Sequence, residues 1–261
     1  HFPTEFVYQV FSLLIAFILV HALYVTLIRP QAEVFLEREA AQLQADPAYV
    51  PQRSFYVVIK DYEQEACFVL MLWAFSILGY KGRAAWRQQK LLEQDLLQLP
   101  DNLPVGPEDT RGLIARLQSL PAPLQDYLLP RALLSAVERF NATRNVQNVS
   151  TAARDLCDSE GERLESELST IRYIAWAIPS VGFIGTVRGI GDALGQAHRA
   201  VEGDITGVTA SLGVAFNSTF IALVISIVLM FFIHQLQLMQ ERLVLDSERY
   251  VDRWLVRRLQ T

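Results

Sequence analysis

The sequence predicts an all-α integral membrane protein with four transmembrane helices and helical cytoplasmic extensions. Of its 261 residues, 51% are hydrophobic and only 20% are charged, which is more apolar than a typical soluble domain. Apolar segments recur four times along the chain, and the run from Ile205 to Gln240 contains no Asp, Glu, Lys or Arg. The formal net charge of -5 argues against nucleic acid as a partner.

The first half of the chain contains two of the four predicted spans. The run Phe6 to Leu27 carries no charge and meets the roughly 20 residues that a helix needs to cross the hydrocarbon core, so residues 1–28 are predicted as the first transmembrane helix. An extracytoplasmic loop is expected at 29–64 and a shorter second span at 65–81. A secretory signal peptide would have basic residues before a shorter apolar core, so the first span is not interpreted as one.

A cytoplasmic helical region is predicted at 82–170. Two groups of prolines interrupt it, Pro100, Pro104 and Pro107 in one and Pro121, Pro123 and Pro130 in the other. From Ser150 onward no proline occurs before Pro179, which predicts one long helix leading into the third span. Its many charged side chains are typical of a solvated face.

The third and fourth spans are assigned to 171–240, and a cytoplasmic helical tail to 241–261. The fourth apolar run exceeds the thickness of a bilayer, so its helix should tilt or project beyond the membrane. Basic residues cluster after the second and fourth spans, which places both termini in the cytoplasm by the positive-inside rule. These residues are Lys81, Arg83, Arg87, Lys90, Arg242, Arg249, Arg253, Arg257 and Arg258.

The third span is rich in glycine, which is costly inside a helix but allows close approach of helices in membranes. We interpret five glycines as packing residues, namely Gly182, Gly185, Gly189, Gly191 and Gly195. Both Gly185–Gly189 and Gly191–Gly195 have GxxxG spacing. The pattern predicts tight packing without indicating a function.

Polar groups in the same two spans are the candidate functional residues. The hydroxyl and amide side chains of Thr186, Asn217, Ser218 and Thr219 either bond to their own backbone or line a hydrated path. The charges of Arg188 and Asp192 are four residues apart, which favours an ion pair within the helix. Thr186, Thr219, Ser218 and Asn217 are therefore the predicted ion-path residues, and Arg188 and Asp192 are the predicted charge pair.

Two stretches carry a family resemblance. Pro179-Ser-Val-Gly-Phe-Ile-Gly-Thr-Val-Arg-Gly-Ile is similar to the run P-x-x-G-L-L-G-T-V-x-G-I of TolQ and ExbB proteins. Gly213-Val-Ala-Phe-Asn-Ser-Thr-Phe-Ile-Ala-Leu is similar to their run G-x-A-L-x-T-T-x-x-G-L. Over about 171 to 240, the chain therefore resembles the MotA/TolQ/ExbB proton-channel family, whose members are channel subunits of ion-driven motors.

The resemblance implies a homopentamer in the bacterial inner membrane, surrounding a dimer of a single-span partner like MotB, TolR or ExbD. That partner supplies an essential aspartate, and Thr186 and Thr219 correspond to the pore-facing threonines. It implies no cofactor and no metal. The four-span count is like that of MotA, whereas TolQ and ExbB have three spans, so a Tol/Exb-like energiser, a flagellar-type stator and a Zorya-type anti-phage motor all stay open, as do proton and sodium.

Two other functional classes compete with the motor subunit. A membrane enzyme is disfavoured, because the sequence shows no nucleophile motif, metal cluster or phosphate-binding loop. A non-conducting membrane scaffold would use the glycines equally well. The hydroxyls of Thr186 and Thr219 on two spans favour transport over the scaffold.

Overall fold

The computed structural model describes residues 4–46, 49, 54–97, 104–106 and 108–259, and its regular elements there are helical. An isolated bridge joins Val105 to Leu259. Pro100 and Pro107 of the first predicted break lie outside the described residues. The helices are α1 (Thr4–Leu23), a π-helical turn (Tyr24–Ile28), α2 (Arg29–Ala45), α3 (Phe55–Ile59), α4 (Tyr62–Leu91), α5 (Thr110–Gln118), α6 (Ala122–Gln125), α7 (Leu128–Thr143), α8 (Val146–Glu167), α9 (Ser169–Gly195), α10 (Ala197–Val201), α11 (Thr206–Trp254) and a 3-10 turn (Val256–Arg258).

Within the described ranges, four helical segments are long and apolar enough to cross a membrane: Thr4–Ala45, Tyr62–Leu91, Val146–Gly195 and Thr206–Arg258. This confirms the predicted fold class. The third segment joins α8 to α9 with only Leu168 between them, as the scarcity of proline before Pro179 predicted. The fourth contains α11, whose 49 residues correspond to a length of about 73 Å at 1.5 Å per residue. That length exceeds the hydrocarbon thickness of about 30 Å, so α11 must extend beyond the membrane.

The chain divides into two compact units, and the first combines the residues up to Leu78 with Thr170–Ile233. Part of its apolar core is formed by α1, the π-helical turn and α4, with Ala16, Val20, Tyr24 and Val69 buried. Polar contacts also join α1 to α4, since the indole nitrogen of Trp73 donates to the carbonyl of Gln9 at 3.0 Å. The membrane helices of this unit therefore combine apolar packing with specific hydrogen bonds.

The second unit combines Gly79–Ser169 with the residues from His234 onward. Its core is built by α5, α7, α8 and the C-terminal part of α11, and it includes Leu133, Phe140 and Val251, each at most 1% exposed. The hydroxyl of Tyr250 accepts from the backbone of Leu96 at 3.2 Å and donates to the carbonyl of Gln94 at 3.1 Å. This pair of bonds ties the chain that follows α4 to α11.

Ion pairs surround α8 in the second unit. Glu160 is 4% exposed and contacts Arg131 at 3.2 Å and Arg163 at 2.5 Å. Lys81 is 5% exposed and pairs with Glu167 at 2.8 Å. Because a buried charge is costly unless it is paired, these contacts fix α8 against α7 and the C-terminal part of α4.

Large apolar side chains are exposed along α1, α9 and α11. Examples are Phe11 at 61%, Trp176 at 76%, Phe216 at 69% and Ile227 at 70%. Monomeric soluble proteins rarely expose contiguous apolar surfaces of this kind. The exposed faces are suited to contact with lipid or with other membrane helices.

Candidate functional site

The glycines of α9 determine how closely this helix approaches α11. A Cβ atom added to Gly182 would lie 2.5 Å from the Cβ of Ala222, and one added to Gly189 would lie 2.7 Å from the backbone nitrogen of Ala215. Gly185 faces Ser218 in the same way. The two helices therefore pack in near-backbone contact, and a larger side chain at any of these glycines would push them apart.

The other two predicted packing glycines behave differently. A Cβ added to Gly191 or Gly195 would meet nothing within 4 Å among the described residues. Both glycines are exposed. They lie outside the α9–α11 contact that Gly182, Gly185 and Gly189 form.

A proline lies within α9, three residues before Gly182. Pro179 has no backbone N–H, so it cannot bond to the carbonyl of Ala175, four residues earlier. The hydroxyl of Ser226 on α11 donates to that carbonyl at 3.2 Å. Since an unpaired carbonyl is costly inside a bilayer, α11 supplies the hydrogen bond that the proline removes from α9.

Thr186 and Thr219 meet between the two helices, and their hydroxyls are hydrogen-bonded to each other. The Thr186 hydroxyl also lies 3.1 Å from the carbonyl oxygen of Ala215, and the Thr219 hydroxyl donates to the carbonyl of Gly182 at 3.2 Å. Both threonines are half-buried. Two hydroxyls and two carbonyl oxygens thus form a polar cluster inside an otherwise apolar helix pair.

The other two residues of the predicted path have different surroundings. Ser218 is 1% exposed, and its hydroxyl accepts from the side-chain amide of Gln64 on α4 at 3.4 Å. Asn217 is half-buried and takes no part in the hydrogen bonds that join Thr186, Ser218 and Thr219 to their neighbours. The structure therefore brings three of the four predicted path residues to contacts between helices.

The predicted ion pair between Arg188 and Asp192 requires correction. The guanidinium of Arg188 binds the carboxylate of Glu63 with two hydrogen bonds, of 2.7 and 2.8 Å. Asp192 is exposed, one turn further along α9. Glu63 is preferred because a bidentate arginine–carboxylate pair is the stronger geometry and because the Glu63 side chain is only 11% exposed.

A second cluster of charged groups lies at the start of α4, where sequence reasoning predicted the outer boundary of the second span. The carboxylate of Glu65 is 7% exposed, and it is bound by the imidazole of His21 at 2.7 Å and by the guanidinium of Arg29. Arg29 also lies over the ring of Tyr62, 4.3 Å from its centroid. This cluster connects the first span to the second.

The Glu65 cluster was missed because the sequence does not show which charges meet across two helices. The available signal was the acidic run Asp61-Tyr-Glu-Gln-Glu immediately before an apolar segment. Four of its residues lie in α4, which begins at Tyr62. Carboxylates in the first turn of a membrane helix are functional candidates by default.

Among the residues that the structure describes, no group of three or more His, Cys, Asp or Glu side chains could hold a metal ion. Both Cys67 and Cys157 are free and buried. For Cys157, which lies in α8 before the third span, burial raises the pKa of the thiol to about 12. Neither thiol has the partially exposed, electropositive surroundings of a reactive cysteine.

The family model of the MotA/TolQ/ExbB proton channel family matches residues 125–249. The match contains α9 and most of α11, and with them the threonine cluster and the glycine contact. No curated protein and no solved structure matches the chain. Over residues 125–249, slightly less than half of its length, the chain therefore matches the MotA/TolQ/ExbB proton channel family.

Proposed function

We propose that the protein is the channel-forming subunit of an ion-driven motor complex in the bacterial inner membrane. The observation that carries this proposal is the hydroxyl pair of Thr186 and Thr219, which joins α9 to α11 within the part of the chain that the family model matches. Hydroxyl and carbonyl oxygens between two membrane helices offer a moving cation a series of polar contacts in place of water. The most fitting ion is the proton, with sodium as the second candidate.

The carrier of the ion is proposed to be an aspartate of a partner protein with one transmembrane helix. Glu63 is bound to Arg188, and Glu65 is bound to Arg29 and His21. Asp192 is exposed near the end of α9. The carboxylates at the start of α4 are therefore occupied by cations of the chain itself, which favours a carboxylate that is supplied from outside.

The assembly that fits this role is a pentamer around a dimer of the partner, with both termini in the cytoplasm. Exposed apolar faces on α9 and α11 provide surfaces for neighbouring copies and for the partner helix. A Tol/Exb-like energiser, a flagellar-type stator and a Zorya-type defence motor would all use such an assembly. A non-conducting scaffold is the alternative, which the close packing at Gly182 and Gly189 also suits.

The double variant Thr186→Val, Thr219→Val tests the channel role. Valine keeps the shape of threonine but removes the hydroxyl, so we expect normal assembly and loss of cation flux. Flux would be measured in liposomes containing the complex with its single-span partner. Thr209→Val is the matched control, because Thr209 is exposed and its hydroxyl bonds to the carbonyls of Ile205 and Thr206 at the start of α11, at 3.1 and 2.9 Å.

The control variant should conduct as the wild type does. Unchanged flux in the double variant would exclude the threonine pair from the ion path. A wild-type complex that assembles and does not conduct would favour the scaffold.

A further inference from the structure

Three consecutive residues in the first turn of α4 each bond to a different membrane helix. Glu63 binds Arg188 of α9, Gln64 binds Ser218 of α11, and Glu65 binds His21 of α1. The two glutamates are neutralised by cations of the chain. Gln64 is the neutral member of the three, and its amide oxygen has no hydrogen-bond donor among the described residues.

Gln64 is fully buried, with 0% of its surface exposed. Its amide nitrogen donates to the carbonyl of Val58 at 3.1 Å and to the hydroxyl of Ser218 at 3.4 Å. The orientation of the amide is fixed, because a flip would place its oxygen against the Val58 carbonyl oxygen. The amide oxygen is left buried, and it has no donor among the residues that the structure describes.

A second acceptor lies one helical turn earlier. The carboxylate of Asp61 uses one oxygen to bind Lys60 at 2.9 Å, and its other oxygen is buried without a donor in the described part of the chain. The backbone N–H of Glu65 donates to the carbonyl of Asp61 at 3.1 Å, so Asp61 and Gln64 belong to one helical turn and are neighbours on its surface. Leaving a buried acceptor unpaired is unfavourable, and two such acceptors in one turn favour a bound cation that satisfies both.

This turn is in contact with the residues that flank the threonine pair. Ser218, which binds Gln64, directly precedes Thr219. A Cβ added to Gly185, the residue before Thr186, would lie 2.6 Å from the Ser218 hydroxyl and 3.1 Å from Cγ of Glu63. The turn that carries the unpaired acceptors therefore contacts the candidate ion path through Glu63 and Gln64.

We propose that Gln64 and Asp61 form a binding site for a small monovalent cation, which is either a proton carried on water or Na⁺, at the α4 side of the threonine pair. The site rests on the proposed channel function and extends the path beyond the two threonines. Acceptor oxygens without donors are the groups that both cations require, because Na⁺ is coordinated by oxygen lone pairs and a protonated water molecule presents only O–H donors.

The first measurement is a density map of the protein in lipid nanodiscs, recorded in NaCl and in choline chloride at a resolution that shows ordered water. We expect a peak within about 3.2 Å of the Gln64 amide oxygen. A peak in NaCl alone identifies Na⁺. A peak in both salts identifies an ordered water molecule, and the flux of the variants below then decides whether that water carries the proton. No peak in either salt, or a donor group of a lipid or of another chain in that position, would overturn the proposal.

The second measurement is cation flux of two variants in the reconstituted complex. Asp61→Asn replaces an acceptor oxygen by a donor and keeps the Gln64–Val58 bond, whereas Gln64→Met removes the amide and keeps its length. Each should lower flux roughly tenfold, which corresponds to the loss of one hydrogen bond to the guest. Gln89→Met is the control, because Gln89 is a half-buried glutamine of the second unit that donates to Asp246.

Flux equal to that of the wild type in both variants would exclude the site from the path. The two proposals fail in different ways. If the double threonine variant conducts normally, the proposed function fails, and the density map alone then decides whether the site binds a cation. If the threonine variant is inactive while both α4 variants conduct normally, only the site is excluded.

Discussion

At the residue scale, the threonine pair is where sequence and structure agree most closely. Residue type and position indicated two hydroxyls on two different spans, and the structure joins them by a hydrogen bond. The sequence could not show that the carbonyl oxygens of Gly182 and Ala215 complete the cluster. Backbone groups become available only once the glycines bring α9 and α11 into contact.

Arg188 shows that the spacing of charged residues in the sequence identifies only ion pairs within one helix. The sequence suggested Asp192, four residues away, because neighbours on one helix face are the only partners that spacing reveals. The structure selects Glu63, which is 125 residues earlier in the chain. A partner on another helix can be recognised only when the packing of the two helices is known.

The Arg188–Glu63 pair leads to a prediction about charge balance. Glu63→Gln should leave an uncompensated arginine in the third span, at a cost of about 2.5–3.5 kcal/mol on insertion scales. We expect a lower yield of folded protein in membranes and a lower unfolding temperature in detergent. The exchange Glu63→Arg, Arg188→Glu should recover a substantial part of both.

Asp192→Asn is the control for this prediction. Because Asp192 is exposed and Arg188 is paired elsewhere, the substitution should change the unfolding temperature by little. An effect of Asp192→Asn as large as that of Glu63→Gln would reinstate the pair within α9. Failure of the charge exchange to restore stability would show that Glu63 acts through something other than Arg188.

At the element scale, the helices followed from apolar runs and the positions of prolines, but their hydrogen bonds to each other did not. The second span was assigned to 65–81, whereas α4 runs from Tyr62 to Leu91. Polar residues at either end of an apolar run do not show where a helix begins, because a helix can continue in the interface or in water. The predicted bounds therefore put Glu63 in the loop and Glu65 in the span, whereas both residues belong to the first turn of α4.

Pro179 and Ser226 provide a test of how α9 and α11 support each other. Ser226→Ala should leave the Ala175 carbonyl without its donor and destabilise the protein by about 1–3 kcal/mol. Thermal or denaturant unfolding of the purified protein in detergent would measure this. The matched control is Ser180→Ala, because the exposed Ser180 hydroxyl bonds only to Trp176 of its own helix at 3.0 Å.

The free energy of unfolding of the Ser180→Ala control should lie within about 0.5 kcal/mol of the wild-type value. Equal effects of the two serine variants would mean that the contact between α11 and the Ala175 carbonyl contributes nothing specific. A variant carrying Pro179→Ala together with Ser226→Ala should be less destabilised than Ser226→Ala alone. The reason is that alanine restores the backbone N–H that the carbonyl needs.

At the scale of the whole molecule, the apolar surface and the glycines point to association. The α9 glycines divide into two sets. Gly182, Gly185 and Gly189 contact α11, whereas a Cβ added to Gly191 or Gly195 meets none of the described residues within 4 Å. A glycine that is exposed on a membrane helix provides a flat surface for another helix. The sequence could not separate the two sets, because the spacing of glycines along a helix does not show which neighbouring helix each glycine faces.

We expect the protein to form a homopentamer in which α9 and α11 face the central axis, and we expect Gly191 and Gly195 to lie at a contact between neighbouring copies or with the partner helix. The double variant Gly191→Leu, Gly195→Leu should then lower the fraction of pentamer in native mass spectra while the unfolding temperature of the protomer stays near that of the wild type. The physical reason is that the added side chains would hold two helices apart, whereas a Cβ at either position meets no described residue of the same chain within 4 Å.

Gly189→Leu provides the opposite result for comparison. An added Cβ at this position already lies 2.7 Å from the backbone of α11, so the larger side chain should separate α9 from α11 and lower protomer stability before assembly is considered. If the variant at Gly191 and Gly195 keeps a full pentamer, that face of α9 is in contact with lipid, and the contact between copies must be sought on the exposed apolar face of α11. A monomeric wild-type protein would contradict the pentamer itself, whatever the glycine variants show.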